Sequence, residues 1–132
     1  MDESAHKMKG ERNERFIVDL ETAKLDYKDW IVVAAFYSTI HYVMCHFHRR
    51  IKGYDDTRDE PFLHRGSQGR FRGHLHRKRL VMLHLPKLLK DYEYLYAMAR
   101  EARYGSLDMA GVTPQDLADL KKIVATEFRP LS

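Results

Sequence analysis

The stretch DWIVVAAFYSTIHYV, residues 29–43, is too apolar to lie on the surface of a soluble protein. Steps of three and four connect its larger side chains and continue past its end, so one helical face carries Trp30, Val33, Ala34, Tyr37, His41, Met44 and His48. The residues between them are largely apolar too, which indicates a helix covered on most sides. The sequence therefore predicts a central helix over about residues 27–52, with the other helices packed around it.

Three further helical patterns flank this central helix. A first helix is predicted over about residues 5–24 and a last one over about 114–127, where Thr113 and Pro114 form a strong helix start. A third helix should begin between residues 72 and 76 and run to about 103, with Pro86 kinking or splitting it. Residues 53–71 contain four Gly or Pro and no sustained period, which predicts a flexible loop.

These patterns indicate an all-α protein. No segment alternates with period two over a useful length. A chain of 132 residues has room for one domain, here 1–132 with its core over about 13–128. We expect a helical bundle of four to five helices in which two long central helices run antiparallel.

The composition favours a cytoplasmic protein that does not enter a membrane. The longest apolar run, residues 30–36, is far shorter than the roughly 20 residues that span a bilayer. The acidic, polar N-terminus does not resemble a secretory signal, and the single cysteine, Cys45, has no partner for a disulfide within the chain.

A strongly basic segment follows the predicted loop. The formal net charge is +4, yet residues 64–79 alone carry six Arg or Lys, three His and no acid. Such a segment can neutralise a phosphate backbone, although a solvated loop would also tolerate it. The candidate nucleic-acid-binding residues are Arg65, Arg70, Arg72, Arg77, Lys78 and Arg79.

The side chains of His41, Cys45 and His48 share one face of the central helix and are candidate metal ligands. Zinc accepts these ligand types, but a structural site needs a fourth ligand, and neither a CxxC nor an HExxH pattern occurs. Packing in the core is the favoured interpretation for these side chains. We therefore expect no metal and no cofactor.

The run from Tyr27 to His41 resembles the second helix of HEPN domains (higher eukaryotes and prokaryotes nucleotide-binding), in particular the prokaryotic subgroup. Asp-Trp, a run of small residues, Phe-Tyr and a His follow one another in that order. A later His-x-x-Arg, here His76 to Arg79, and the sequence Ala-Arg-Tyr ending at Tyr104 are similar to the same subgroup. The resemblance covers about residues 13–125.

The resemblance implies an α-helical, commonly dimeric protein associated with RNA. Many HEPN members are metal-independent ribonucleases, several of them toxins or defence proteins, with an Arg followed after four to six residues by a His. The matches here are Arg79 to His84, Arg77 to His84, and Arg70 to His76. By this resemblance His84 or His76 would act as general acid/base on a ribose 2′-OH, and Arg79 would stabilise the developing charge.

Alternatives to a ribonuclease stay open, because the residue after each of these arginines is Leu, Lys or Phe, whereas HEPN ribonucleases usually have Asn, Asp or His. The first is a non-catalytic helical dimerisation or interaction domain, and the second is a plain structural bundle. His41, Tyr37 and Arg103 are further candidates to face a ligand. The expected partners are RNA or a nucleotide, a second copy of the chain, and an antitoxin or another protein.

Overall fold

The computed structural model describes residues 2–22, 28–56, 66–104 and 111–131, with backbone alone for 66–72 and 104. These residues form five α-helices. A short 3-10 turn at Pro86–Leu88 connects the third helix to the fourth, and a π-helical turn at Val124–Phe128 follows the fifth. The helices are α1 (Glu3–Thr22), α2 (Lys28–Arg50), α3 (Gly66–His84), α4 (Leu89–Tyr104) and α5 (Pro114–Ile123). The all-α prediction is confirmed, with the two longest helices, α1 and α2, packed together.

Helix α2 forms the centre of the bundle. From Ile31 to Phe47 nearly every side chain is buried, including the polar Thr39 and His41. Trp30 differs from the other residues of the predicted face, because 56% of it is exposed at the start of the helix. By length and hydropathy α2 could cross a membrane, but 78% of its most apolar window is buried inside the protein. Within the described residues α2 is the one helix that is long and apolar enough for this, and it is weak evidence, because buried core helices pass the same criterion.

Helix α1 runs antiparallel to α2. Glu3, at the start of α1, pairs with Arg49 at the end of α2. Two to three turns further along, Ser38 donates a hydrogen bond from Oγ to the backbone carbonyl of Gly10, 2.5 Å away. The glycine lets the two backbones approach closely, since a side chain at position 10 would meet the ring of Tyr42.

The predicted third helix is two helices. A continuous helix would separate His74 from Tyr92 by about 27 Å. Their rings instead stack with centroids 5.6 Å apart, so the chain reverses between α3 and α4. Pro86, which has no N–H to continue the ladder, begins the 3-10 turn at this reversal. Helix α4 then lies antiparallel to α2, because Arg50 at the end of α2 contacts His84 just before α4, whereas Tyr37 in the middle of α2 contacts Arg103 near the end of α4. Phe36 packs against both Tyr92 and Tyr96.

The start of α3 corrects a predicted boundary. The helix begins at Gly66, so the predicted loop over 53–71 is wrong for its last six residues. Glycines lower helix propensity, but tertiary packing can override propensity. Helix α3 does pack against the rest of the protein, because its residues Gly73 and His74 are buried. Residues 53–56 of the predicted loop form a turn and irregular backbone after α2, and residues 57–65 lie outside the described residues.

Helix α5 begins as the sequence predicts. Thr113 accepts a hydrogen bond on its side chain from the backbone N–H of Asp116, 3.1 Å away, and the Asp116 carboxylate accepts one from the Thr113 backbone N–H at 2.9 Å. This reciprocal arrangement satisfies two donors that a helix start leaves unpaired. Leu120, Val124 and Phe128 then bury one face of this last segment.

Candidate functional site

Three histidines and an aspartate meet in the interior between α1 and α2, and we call His6, His41, His48 and Asp56 the histidine–aspartate cluster. The Nε2 atom of His6 lies 2.6 Å from Oδ2 of Asp56, and its Nδ1 atom lies 2.8 Å from Nδ1 of His41. Nε2 of His48 approaches the same carboxylate oxygen at 3.4 Å. Two helices and the segment after α2 therefore supply one connected polar network.

Within the cluster, the neutral imidazole is favoured at His6 and at His41, and the ionised carboxylate is favoured at Asp56. Burial away from water lowers the pKa of His6, and this outweighs the opposite influence of Asp56. Burial, with the nearby His6, lowers the pKa of His41 to about 3. Burial would raise the pKa of Asp56, but hydrogen bonds from His6 and His48 prevail and lower it.

These protonation states suggest the direction of the hydrogen bonds. A neutral imidazole has one N–H, and the carboxylate of Asp56 can only accept. His6 therefore donates from Nε2 to Asp56 and accepts at Nδ1 from the Nδ1–H of His41. The result is a directed chain from His41 through His6 to Asp56.

A second polar cluster lies between α3 and α4 and consists of His74, Arg77, Tyr92 and Tyr96. Arg77 is 3% exposed and donates from Nε to the Tyr92 hydroxyl, 3.1 Å away. The ring of His74 stacks on that of Tyr96 with centroids 3.4 Å apart. Burial lowers the pKa of His74 to about 3, and the charge of Arg77 lowers it in the same direction. This cluster fastens the α3–α4 hairpin.

The residues predicted for catalysis, Arg79, His84 and His76, are not members of either cluster. Arg79 is exposed, whereas His76 and His84 are partly buried. His84 is the last residue of α3, and its backbone carbonyl accepts a hydrogen bond from Arg50 at 3.2 Å. No described contact joins Arg79 to His84, so the arrangement of these three side chains as one site stays a prediction.

The other predicted binding residues fall into three groups. Arg77 is in the interior, where its described contact is with Tyr92, while Lys78 is 42% exposed and lies 3.6 Å from Glu93. Tyr37 and Arg103 do come together, with the guanidinium carbon 5.6 Å from the ring centroid. Arg65 lies outside the described residues, and Arg70 and Arg72 are described by their backbone alone. The prediction that these residues bind nucleic acid stays a prediction.

Sequence reasoning missed two members of the histidine–aspartate cluster, His6 and Asp56. They lie 50 positions apart, and no spacing rule connects them. His74 and Arg77 were also missed as a pair, although they repeat the His-x-x-Arg spacing of His76 and Arg79 two residues earlier. The structure brings this earlier pair into the interior, where each residue contacts Tyr92.

Comparison of the chain with protein-family models, with curated proteins and with solved structures finds no match.

Proposed function

We propose that this chain is a cytoplasmic, HEPN-like protein that binds RNA or a nucleotide through the exposed side of α3. The proposal combines the resemblance of residues 27–41, the His-x-x-Arg and the Ala-Arg-Tyr with an all-α bundle. If the protein is catalytic, the proposed activity is that of a metal-independent ribonuclease that uses Arg79 with His84 or His76. The homodimer and the antitoxin or other protein partner belong to the same proposal.

The observation that carries the proposal is the guanidinium of Arg79. It is exposed, and within the described residues no carboxylate forms an ion pair with it. Helix α3 contains no Asp or Glu along its whole length, so nothing on this helix competes with an anion for Arg79. Lys78, one residue earlier, adds a partly exposed ammonium. A phosphate of a nucleic acid is the natural partner for such a surface.

An assay of RNA cleavage separates catalysis from binding. Purified protein is incubated with labelled single-stranded RNA in EDTA beside the double variant Arg79→Ala/His84→Ala, with circular dichroism to show that both stay helical. Lys122→Ala, which removes an exposed cation from α5, is the matched control. Cleavage by wild type and control but not by the double variant supports the ribonuclease. Equal cleavage by all three proteins contradicts this site.

Absence of cleavage together with a salt-sensitive gel shift supports the alternative, a non-catalytic dimerisation or interaction domain. One observation favours this alternative specifically. Leu75, Met82 and Leu83 are 44%, 51% and 63% exposed on α3, the helix that carries Arg79. Exposed apolar patches are a feature of protein-contact surfaces.

A second copy of the chain is the proposed occupant of this apolar surface. Sedimentation equilibrium of wild type and of the variant Met82→Glu/Leu83→Glu measures the oligomeric state. We expect a dimer that the variant dissociates, because charges on the apolar contact are costly to bury. A wild type that stays monomeric at all concentrations contradicts the homodimer.

A further inference from the structure

We propose that His6, His48 and Asp56 form a binding site for a divalent transition-metal ion, with zinc as the first candidate. The site departs from the expectation of no metal, which considered only one face of the central helix. Its three donor atoms lie within 4.8 Å of one another. The inference concerns the stability of the bundle and is independent of RNA binding.

The distances fit a small first-row cation. Zinc bonds to imidazole nitrogen and carboxylate oxygen are about 2.0–2.2 Å long, so neighbouring ligands of a tetrahedral site are ~3.4 Å apart. Nε2 of His48 and Oδ2 of Asp56 are 3.4 Å apart already. Nε2 of His6 lies at hydrogen-bond distance, 2.6 Å, from the same oxygen. Widening that contact by under ~1 Å admits the metal.

The chemistry of the donors also fits. Two imidazoles and one carboxylate are ligands that zinc and its neighbours in the first transition row accept. A calcium or magnesium site would instead be built mainly from oxygen ligands. The cluster has a single carboxylate, so a transition metal is favoured over either of those ions.

A hydrogen bond to His41 would fix the His6 ring in the tautomer that binds the metal. A ligating histidine usually hydrogen-bonds through its other ring nitrogen, which fixes the ring and its tautomer. Here Nδ1 of His6 lies 2.8 Å from Nδ1 of His41. On metal binding, the metal replaces the proton on Nε2 of His6, and the proton of His6 then lies on Nδ1. This Nδ1–H donates a hydrogen bond to Nδ1 of His41. The proton of His41 then lies on its Nε2. The number of protons on the two rings is unchanged.

One of the three ligands, His48, gives the site access to solvent. The side chain of His6 is fully buried, that of Asp56 is 7% exposed, and that of His48 is 19% exposed. A metal can therefore enter from the side of His48, where a water molecule would complete the coordination. Tyr54 packs edge-on against the His48 ring with centroids 4.8 Å apart, which restricts the orientation of the imidazole.

The metal would fasten three segments that are distant in sequence. His6 belongs to α1, His48 to α2, and Asp56 to the segment after α2. Ligands drawn from separate segments turn metal binding into stabilisation of the folded chain, because the unfolded chain does not present them together. Metal binding is therefore inferred to stabilise the packing of the N-terminal helix against α2.

The test uses the full chain without an affinity tag, stripped of metal and titrated with Zn²⁺ by calorimetry and with Co²⁺ by visible absorption. The variants are His48→Gln, at the most exposed ligand, and Asp56→Asn, with Asp19→Asn as the control for an exposed carboxylate on α1. We expect about one Zn²⁺ per chain, a tetrahedral Co²⁺ spectrum, and an increase in Tm on adding Zn²⁺. In His48→Gln and Asp56→Asn, zinc affinity should fall by at least tenfold and the increase in Tm should be lost.

Two results overturn the proposal. One is a wild type that binds neither Zn²⁺ nor Co²⁺ while it remains folded by circular dichroism. The other is zinc affinity in both variants equal to that of wild type and of Asp19→Asn, which would place the ion elsewhere. Neither result bears on RNA binding, which is measured separately, so the two proposals fail independently.

Discussion

Arg77 donates a hydrogen bond from Nε to the hydroxyl of Tyr92, 3.1 Å away. This arginine belongs to the most basic segment of the chain, yet it is buried in the interior. Two residues later, Arg79 is exposed. The same short stretch of α3 thus supplies one guanidinium to the bundle and one to the surface. Only part of the positive charge of the segment is therefore available to a partner. Substitutions at the buried arginine should change stability, whereas substitutions at the exposed one should change binding.

Tyr92→Phe should lower the free energy of unfolding by about 1.5–3 kcal/mol, because hydrogen bonds to charged groups contribute about that much and the buried guanidinium loses an acceptor. Tyr94→Phe makes the same chemical change on a ring that is 40% exposed on the same helix. It should cost less than about 0.5 kcal/mol. Urea denaturation followed by circular dichroism measures both values, and equal losses would contradict the interior role of Tyr92.

Gly10→Ala should destabilise the protein by about 1–3 kcal/mol, although alanine is the better helix former. A Cβ at position 10 would come within 2.8 Å of three carbons of the Tyr42 ring. That ring is fully buried and its hydroxyl contacts Glu14, so it cannot move aside cheaply. Gly111→Ala is the matched control, because a Cβ there meets nothing within 4 Å. Thermal unfolding that ranks the two variants in the reverse order would refute the close packing of α1 on α2.

Stability should fall as the pH falls below about 6.5. The pKa of His74 is about 3 in the folded protein and 6.5 when unfolded, so between these values the unfolded state binds the extra proton. The stabilisation is complete above pH 6.5 and is lost as the pH approaches 3. At pH 5 this one residue accounts for a loss of about 2 kcal/mol.

His74→Phe retains the stacking ring and removes the titrating group. Its free energy of unfolding should therefore decrease less steeply between pH 7 and pH 5 than that of wild type. Chemical denaturation at a series of pH values measures the two slopes. Parallel slopes would show that His74 does not stay neutral in the folded state.

The fold could be predicted from the sequence because it depends on local signals. The apolar run of α2 dictates a buried helix, Pro86 dictates an interruption, and Thr113 with Pro114 dictates the start of α5. What no local signal could supply was the direction of the chain after Pro86. The stacking of His74 on Tyr92 and Tyr96 decides that the chain reverses there, and this is a contact between residues distant in sequence.

The candidate sites were harder to predict for the same reason. The periodicity of α2 places His41 and His48 on one face, and both are in fact in the histidine–aspartate cluster. Their partners come from elsewhere: His6 lies in a mostly polar helix, and Asp56 follows Gly53, whose φ of 73° turns the chain after α2. Cys45, also on α2, is buried but is not one of the three potential metal ligands. A search for ligands along one helix could not find a site built from three segments.

The most direct measurement of the proposed function is the salt dependence of RNA binding. Fluorescence anisotropy with labelled single-stranded RNA gives Kd over a series of KCl concentrations for wild type, Arg79→Ala and the control Lys122→Ala. We expect log K to fall linearly with log[KCl], and the slope for Arg79→Ala to be smaller in magnitude by about 1, as expected for one lost phosphate contact. The control should match wild type. Binding that is absent at low salt, or a slope for Arg79→Ala that equals that of wild type, would contradict RNA binding through the exposed side of α3.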